Sequence, residues 1–186
     1  MEKEFKAFVG VLKEAKRRKF IRDFALTGAL ALSVHTQPRA TADMDFLAAV
    51  EAEKIPFFVD WLRDSKGYNL ARHHVGRPKD NIKNLIEVPA GGASADIIIA
   101  GNAVEEEALA EGVDVKAFKT AIKVVSAEYL MVLKLRAGSD QDYIDAAHLW
   151  NEDIDRRLVR RLTKGLYMER RLKRAVALAR RLRDAG

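Results

Sequence analysis

Apolar residues recur at helical spacing from the first turns of the chain. Phe5, Phe8, Val9, Leu12 and Ala15 fall on one face with lysines between them, which predicts an amphipathic helix over residues 2–19. The period then changes. Asp23-Phe24-Ala25-Leu26-Thr27 has the pattern of a short buried strand, and Gly28 to Val34 is small and apolar, as expected of a helix packed closely on a sheet. Gly28 marks the turn between them. After a loop over Pro38 to Ala42, Asp43 to Ala48 predicts a second strand, and residues 51–65 a helix with Phe57, Phe58, Trp61 and Leu62 turned inward. Three further strands are expected at Asn69 to Val75, Ile82 to Val88 and Ser94 to Ala100, joined by hairpin-like connectors at Gly76 to Asn81 and Pro89 to Gly92. A helix over 102–111, a short strand near 120–125 and helices at 127–137, 140–150 and 155–184 complete the pattern. Trp150, Leu158, Leu162, Leu166, Leu172 and Leu178 are expected in the helical core, the alternative being a partner-facing stripe. Strands give way to helices near Ser126. The expected organisation is therefore an α/β (α+β) unit over 1–125, a small mixed sheet flanked by helices, followed by a helical C-terminal region over 126–186.

At 186 residues and 48% apolar, the chain can bury a sizeable core. It has no cysteine, which excludes disulfides, thiolate zinc sites and thiol nucleophiles together. The start, Met1-Glu2-Lys3-Glu4-Phe5-Lys6, is charged where a secretory signal needs an apolar core, and no apolar run is long enough to span a bilayer. A cytoplasmic location without a membrane partner is expected. The formal net charge of +6 is concentrated late in the chain. Arg156, Arg157, Arg160, Arg161, Lys164, Arg170, Arg171, Lys173, Arg174, Arg180, Arg181 and Arg183 can attract phosphates, or serve simply as a solvated helix face.

The candidate chemistry lies in acids placed among apolar residues. Asp43-Met44-Asp45 sits on a predicted strand, where residues i and i+2 point to the same face. Asp96, within Ala95-Asp96-Ile97-Ile98-Ile99, could join them from a neighbouring strand. Ionised carboxylates in such surroundings are costly unless a positive charge lies among them, and three together suit a hard cation such as Mg²⁺.

Taken in order, the chain has a strand, a Gly28-Ala29 turn into a helix, Arg39 and Thr41 in a loop, Asp43-Met44-Asp45 on a strand, and Asp96 on a later one. This order resembles the nucleotidyltransferase superfamily. Thr27-Gly28-Ala29-Leu30-Ala31 with Pro38 to Asp45, then Glu128 to Ala137 and Asp142-Tyr143-Ile144-Asp145, is similar to its minimal branch that includes AbiEii-type toxins. The resemblance implies a nucleotidyltransferase-like fold and transfer of a nucleoside monophosphate from a nucleoside triphosphate (NTP) to a hydroxyl, with pyrophosphate released. The acceptor it implies is RNA, such as tRNA, or protein. It also implies two Mg²⁺ or Mn²⁺ ions held by Asp43, Asp45 and Asp96, the last also helping to deprotonate the acceptor. Nucleotide binding is implied for Gly28, Ala29, Arg39, Thr41 and Lys134, with Asp142 and Asp145 orienting Lys134 or Arg39. A cognate toxin or antitoxin protein is a further implied partner.

The departures from the pattern are local. Ala29 replaces the usual Gly or Ser, Thr36 stands where relatives often have Gly, and Ser139-Asp140-Gln141 replaces a basic Arg-x-x-Lys pattern. These leave open a second reading, a regulatory module that binds nucleotide or a partner without turnover. Lys134 could instead be a snorkelling surface lysine, Arg39 could tie its loop by an ion pair, and Asp140 and Asp142 could cap a helix. A metal-dependent nuclease is disfavoured, since hydrolysis needs no triphosphate cradle. His73 and His74 are adjacent on a strand and cannot chelate together, so edge or core roles are expected. Gly91-Gly92 reads as a hairpin, and His35 and His148 lack ligand spacing.

Overall fold

A computed structural model describes residues 2–36, 41, 43–77, 84–90, 92–151 and 153–184. Among these residues seven strands form one mixed sheet: β1 (Asp23–Leu26), β2 (Asp43–Ala49), β3 (Arg72–Val75), β4 (Asn84–Ala90), β5 (Ala93–Ile99), β6 (Val113–Ala117) and β7 (Thr120–Val124). Their order is β3-β4-β5-β2-β1-β7-β6. β2 runs parallel to β5 and β1 parallel to β7, while the remaining neighbours are antiparallel.

The sheet's centre is buried on both faces. α1 (Glu2–Arg17) lays its apolar stripe on one of them, with the rings of Phe5 and Phe8 centred 6.1 and 5.5 Å from Phe46 of β2. Beside it, α3 (Ile55–Lys66) buries Phe58, Trp61 and Leu62, and Lys66 reaches Glu14 of α1 at 2.5 Å. Phe57, expected inward, is 66% exposed. Positions 58, 61 and 62 complete the i, i+3, i+4 stripe, and position 57 is rotated about 100° off it. On the other face, α2 (Gly28–His35) packs on β2, and α5 (Ala127–Ala137) packs on α2. α4 (Ala103–Ala110) lies against β1 and β2, while α6 (Asp140–Leu149), α7 (Arg156–Gly165) and α8 (Glu169–Asp184) add a layer over α5.

Two elements differ from the sequence-based expectation. β6 forms a hairpin with β7 that the pattern did not announce. Only Ala117 of its five residues is buried, so it carries little alternation. The turn uses Phe118 and Lys119 at φ +48° and +58°, without the Asn-Gly or Asp-Gly that marks such hairpins. The single helix expected over 155–184 is two helices. Tyr167, at φ +56°, turns the chain between α7 and α8, although the leucine spacing runs on through the corner. Among the described residues, no helix is long and apolar enough to cross a membrane.

Candidate active site

The parallel register of β2 and β5 sets the acids side by side. Asp45 stands opposite Asp96, and Asp43 opposite Ser94. Met44 and Phe46 alternate with the acids and are fully buried on the α1 side, so Asp43, Asp45 and Asp96 share the other face. The row continues. Glu87 of β4 is opposite Asp96, Arg72 of β3 is opposite Glu87, and His74 lies 3.0 Å from the Glu87 carboxylate. Sequence reasoning passed over Glu87 and set His74 aside. An acid inside Leu85-Ile86-Glu87-Val88 was the available signal, but only strand register aligns it with Asp96. His73 faces away and meets Asn84 at 3.2 Å, so the two histidines indeed serve opposite faces.

These carboxylates lack enough positive charge. Burial pushes Asp45 up to about 6, and negative Asp96 and Asp43 add to the rise, against a downward pull from Lys134 and the Ala29 N–H. Asp96 is also raised, by burial first and then by Glu87 and Asp43. Its Oδ1 is buried without a hydrogen-bond partner among the described residues. No three His, Asp or Glu side chains among the described residues converge as a preformed metal cage. An orphaned carboxylate oxygen and two carboxylates held above their ordinary range nevertheless fit a divalent cation, which takes oxygen ligands and would supply the missing charge.

The turn before α2 is built against Asp45. Thr27 is extended and donates its N–H to the Asp45 carbonyl at 2.9 Å. Gly28 has φ +64°, and a Cβ there would lie 1.9 Å from Asp45 Oδ2. Only glycine allows this turn and this approach together. The Ala29 N–H at the start of α2 consequently faces the Asp45 carboxylate, where a bound cation would let it receive an anion instead.

Lys134 projects from α5 toward the same place. Its side chain is 13% exposed, and Nζ lies 2.8 Å from Asp145 Oδ2 and 3.1 Å from Asp142 Oδ1. Asp145 is buried and also accepts from Gln141 Nε2 at 2.9 Å. Asp142 closes a capping box with Ser139, so Ser139 is the cap of α6 and Asp142 its reciprocal partner. A cavity of about 220 Å³ joins Thr27, Gly28, Asp45, Lys134, Arg136 and Asp142. Arg136 is held by buried Glu105 at 2.5 Å, a pair the sequence did not single out. Thr41 accepts from the Asp43 N–H at 3.2 Å, which holds the start of β2. Arg39 lies outside the described residues.

The family model described as "Nucleotidyl transferase AbiEii toxin, Type IV TA system" matches residues 11–185. No curated protein sequence matches the chain. Among solved structures, the antibiotic-resistance factor ANT(2'')-Ia is similar at 15% identity and a TM-score of 0.47, over 100% of this chain and 96% of that one. The lincosamide antibiotic adenylyltransferase LnuA, solved with lincomycin bound, is similar at 17% identity and 0.48, over 80% of this chain and 96% of that one. A nucleotidyltransferase-like protein from Paracoccidioides brasiliensis gives 17% and 0.49, over 94% and 93%.

Proposed function

Because the chain belongs to the AbiEii nucleotidyltransferase toxin family and is thereby a nucleotidyltransferase, we propose that it transfers a nucleoside monophosphate from an NTP to a hydroxyl of RNA or protein, in the cytoplasm and in a toxin–antitoxin setting. The observation that carries this reading is the meeting of three elements at one cavity edge. The Gly28 turn, Asp45 and Lys134 line that cavity, brought there by β1, β2 and α5, and Asp96 stands behind them as the cross-strand partner of Asp45 on β5.

Asp43, Asp45 and Asp96 would hold one or two Mg²⁺ or Mn²⁺ ions, whose positive charge would stabilise the triphosphate and the attacking oxygen. The N–H groups at the start of α2 receive phosphate oxygens, and Gly28 lets the backbone come close to them. Lys134, oriented by Asp142 and Asp145, presents its ammonium to the phosphates. The acceptor oxygen attacks the α-phosphorus, its bond to phosphorus forms, and the α–β bridging bond breaks to release pyrophosphate. Asp96 is placed to take the acceptor's proton, since it stands directly opposite Asp45 and its Oδ1 has no hydrogen-bond partner among the described residues. In this reading residues 1–125 supply the acids and the helix turn, and residues 126–186 supply the lysine and its supports.

The test is label transfer from each α-labelled NTP, with Mg²⁺ or Mn²⁺, into total tRNA and into cell-extract protein. The comparison is wild type against Asp43→Ala/Asp45→Ala. Label that enters one pool and vanishes in the variant is expected. Nucleotide binding without transfer to either pool would favour the regulatory module, for which Ala29 and the Ser139 to Gln141 segment are the supporting features.

A further inference from the structure

We propose that the groove between α7 and α8 is a docking site for single-stranded RNA. The inference rests on the transfer reading in one respect, that it chooses between the two acceptor classes.

The cations of the C-terminal region fall into two groups. Some hold the fold together. Arg171 Nη1 donates to the carbonyls of Leu135 and Arg136 at 2.8 Å each, closing the end of α5. Arg174 pairs with Asp140 at 2.8 Å and stacks 4.0 Å above the Tyr143 ring, and Arg156 lies 5.4 Å from the Trp150 ring centre. Others face a groove of about 480 Å³. Arg160 and Lys164, one turn apart on α7, oppose Lys173 and Arg180, two turns apart on α8. All four are exposed, and none carries an ion pair among the described residues. Glu169 is the only acid in the lining, and Trp150 and Leu172 supply apolar surface. Two facing rows of unneutralised cations fit a polyanionic strand.

The corner joining the two helices favours RNA over an acidic peptide. Tyr167 holds φ +56° with 93% of its surface exposed. Phe118 has a similar backbone strain but rests its ring on Phe5, centroids 5.0 Å apart. Tyr167 has no such return in packing, and glycine would occupy the corner more cheaply. Tyr167 is not part of the groove lining, but it lies in the chain between Lys164 and Glu169, which are; a bare aromatic joined to a cationic groove offers an unpaired base a face to stack on, while cations follow its phosphates. RNA end hydroxyls are also the acceptor chemistry the proposed reaction needs.

The test is fluorescence anisotropy of a fluorescein-labelled 12-nucleotide single-stranded RNA bound to the full chain without nucleotide, as a function of salt. Arg160→Ala/Lys164→Ala/Lys173→Ala/Arg180→Ala is expected to weaken binding tenfold or more. It should also flatten the slope of log K against log salt by about 3, at about 0.7 per lost phosphate contact. Tyr167→Ala is expected to cost fivefold or more for single strands and little for a duplex, with Tyr167→Phe retaining affinity. A variant of matched charge lacking Lys3, Lys6, Arg17 and Lys19 should bind as wild type does, and circular dichroism checks that each variant is folded. Unchanged binding by the groove variant, or an acidic peptide bound as tightly as the RNA, would overturn the proposal. Since the readout uses no NTP, that result leaves the transfer reading standing. Conversely, absent label transfer with intact groove-dependent binding would fault the transfer reading alone.

Discussion

Replacing Asp45 with Asn should make the metal-free protein more stable, and the gain should depend on pH. In the folded chain Asp45 titrates at about 6 instead of 3.8, because it is buried beside Asp96 and Asp43. A group whose folded pKa is raised binds its proton more tightly in the native state. Stability from Asp45 is therefore full below its unfolded value and is lost as pH rises through about 6. A rise of roughly 2 units at 1.36 kcal/mol each corresponds to about 3 kcal/mol lost by pH 8. Asn keeps the shape and an oxygen for the Ala29 N–H but carries no charge, so Asp45→Asn escapes that loss. Urea unfolding of both proteins from pH 4 to 8, with EDTA present, should show curves that nearly meet at pH 4. They should separate by about 2–3 kcal/mol at pH 8. Millimolar Mg²⁺ should then stabilise the wild type and leave the variant unmoved. A difference constant across pH, or a wild type more stable than the variant at pH 8 without metal, would refute the electrostatic account of this site.

The other expectations follow from the same geometry. Gly28→Ala places a Cβ 1.9 Å from Asp45 Oδ2 at a positive φ; it should cost about 2–4 kcal/mol by urea unfolding and abolish transfer. Lys134→Ala leaves buried Asp145 without its cation and should cost about 3–5 kcal/mol, with much of the loss recovered in Lys134→Met/Asp145→Leu, although neither variant should transfer label. Glu87→Gln removes a charge that raises Asp96, so the acidic limb of the pH–rate profile should move to lower pH; an unmoved limb would separate Glu87 from the reaction.

Much of this protein was legible in its residues because the signals were local. The apolar stripe of α1, the apolar strands and the Gly28 turn each follow from side-chain spacing or backbone freedom within a few residues. Asp43 and Asp45 shared a face by strand period alone. Signals failed where local chemistry was bland or misleading. Edge strand β6 buries one residue, its turn has no glycine, and the leucine spacing ran through a corner that Tyr167 makes.

The sequence by itself therefore determined which residue types could do the chemistry, a set of carboxylates, a glycine turn and a lysine in the order of a known family. Only the tertiary structure decided which of them meet. The parallel pairing of β2 with β5 put Asp45 against Asp96, the antiparallel return of β4 added Glu87 to the row, and β3 brought His74 to Glu87. The packing of α5 and α6 engaged Lys134 with Asp142 and Asp145. The corner after α7 folded one basic run back on itself, so that Arg171 closes the end of α5 while Arg160, Lys164, Lys173 and Arg180 line one groove. The physical reason is range: side-chain period and backbone freedom act over a few residues, whereas register and helix packing are set by burial summed over the whole core.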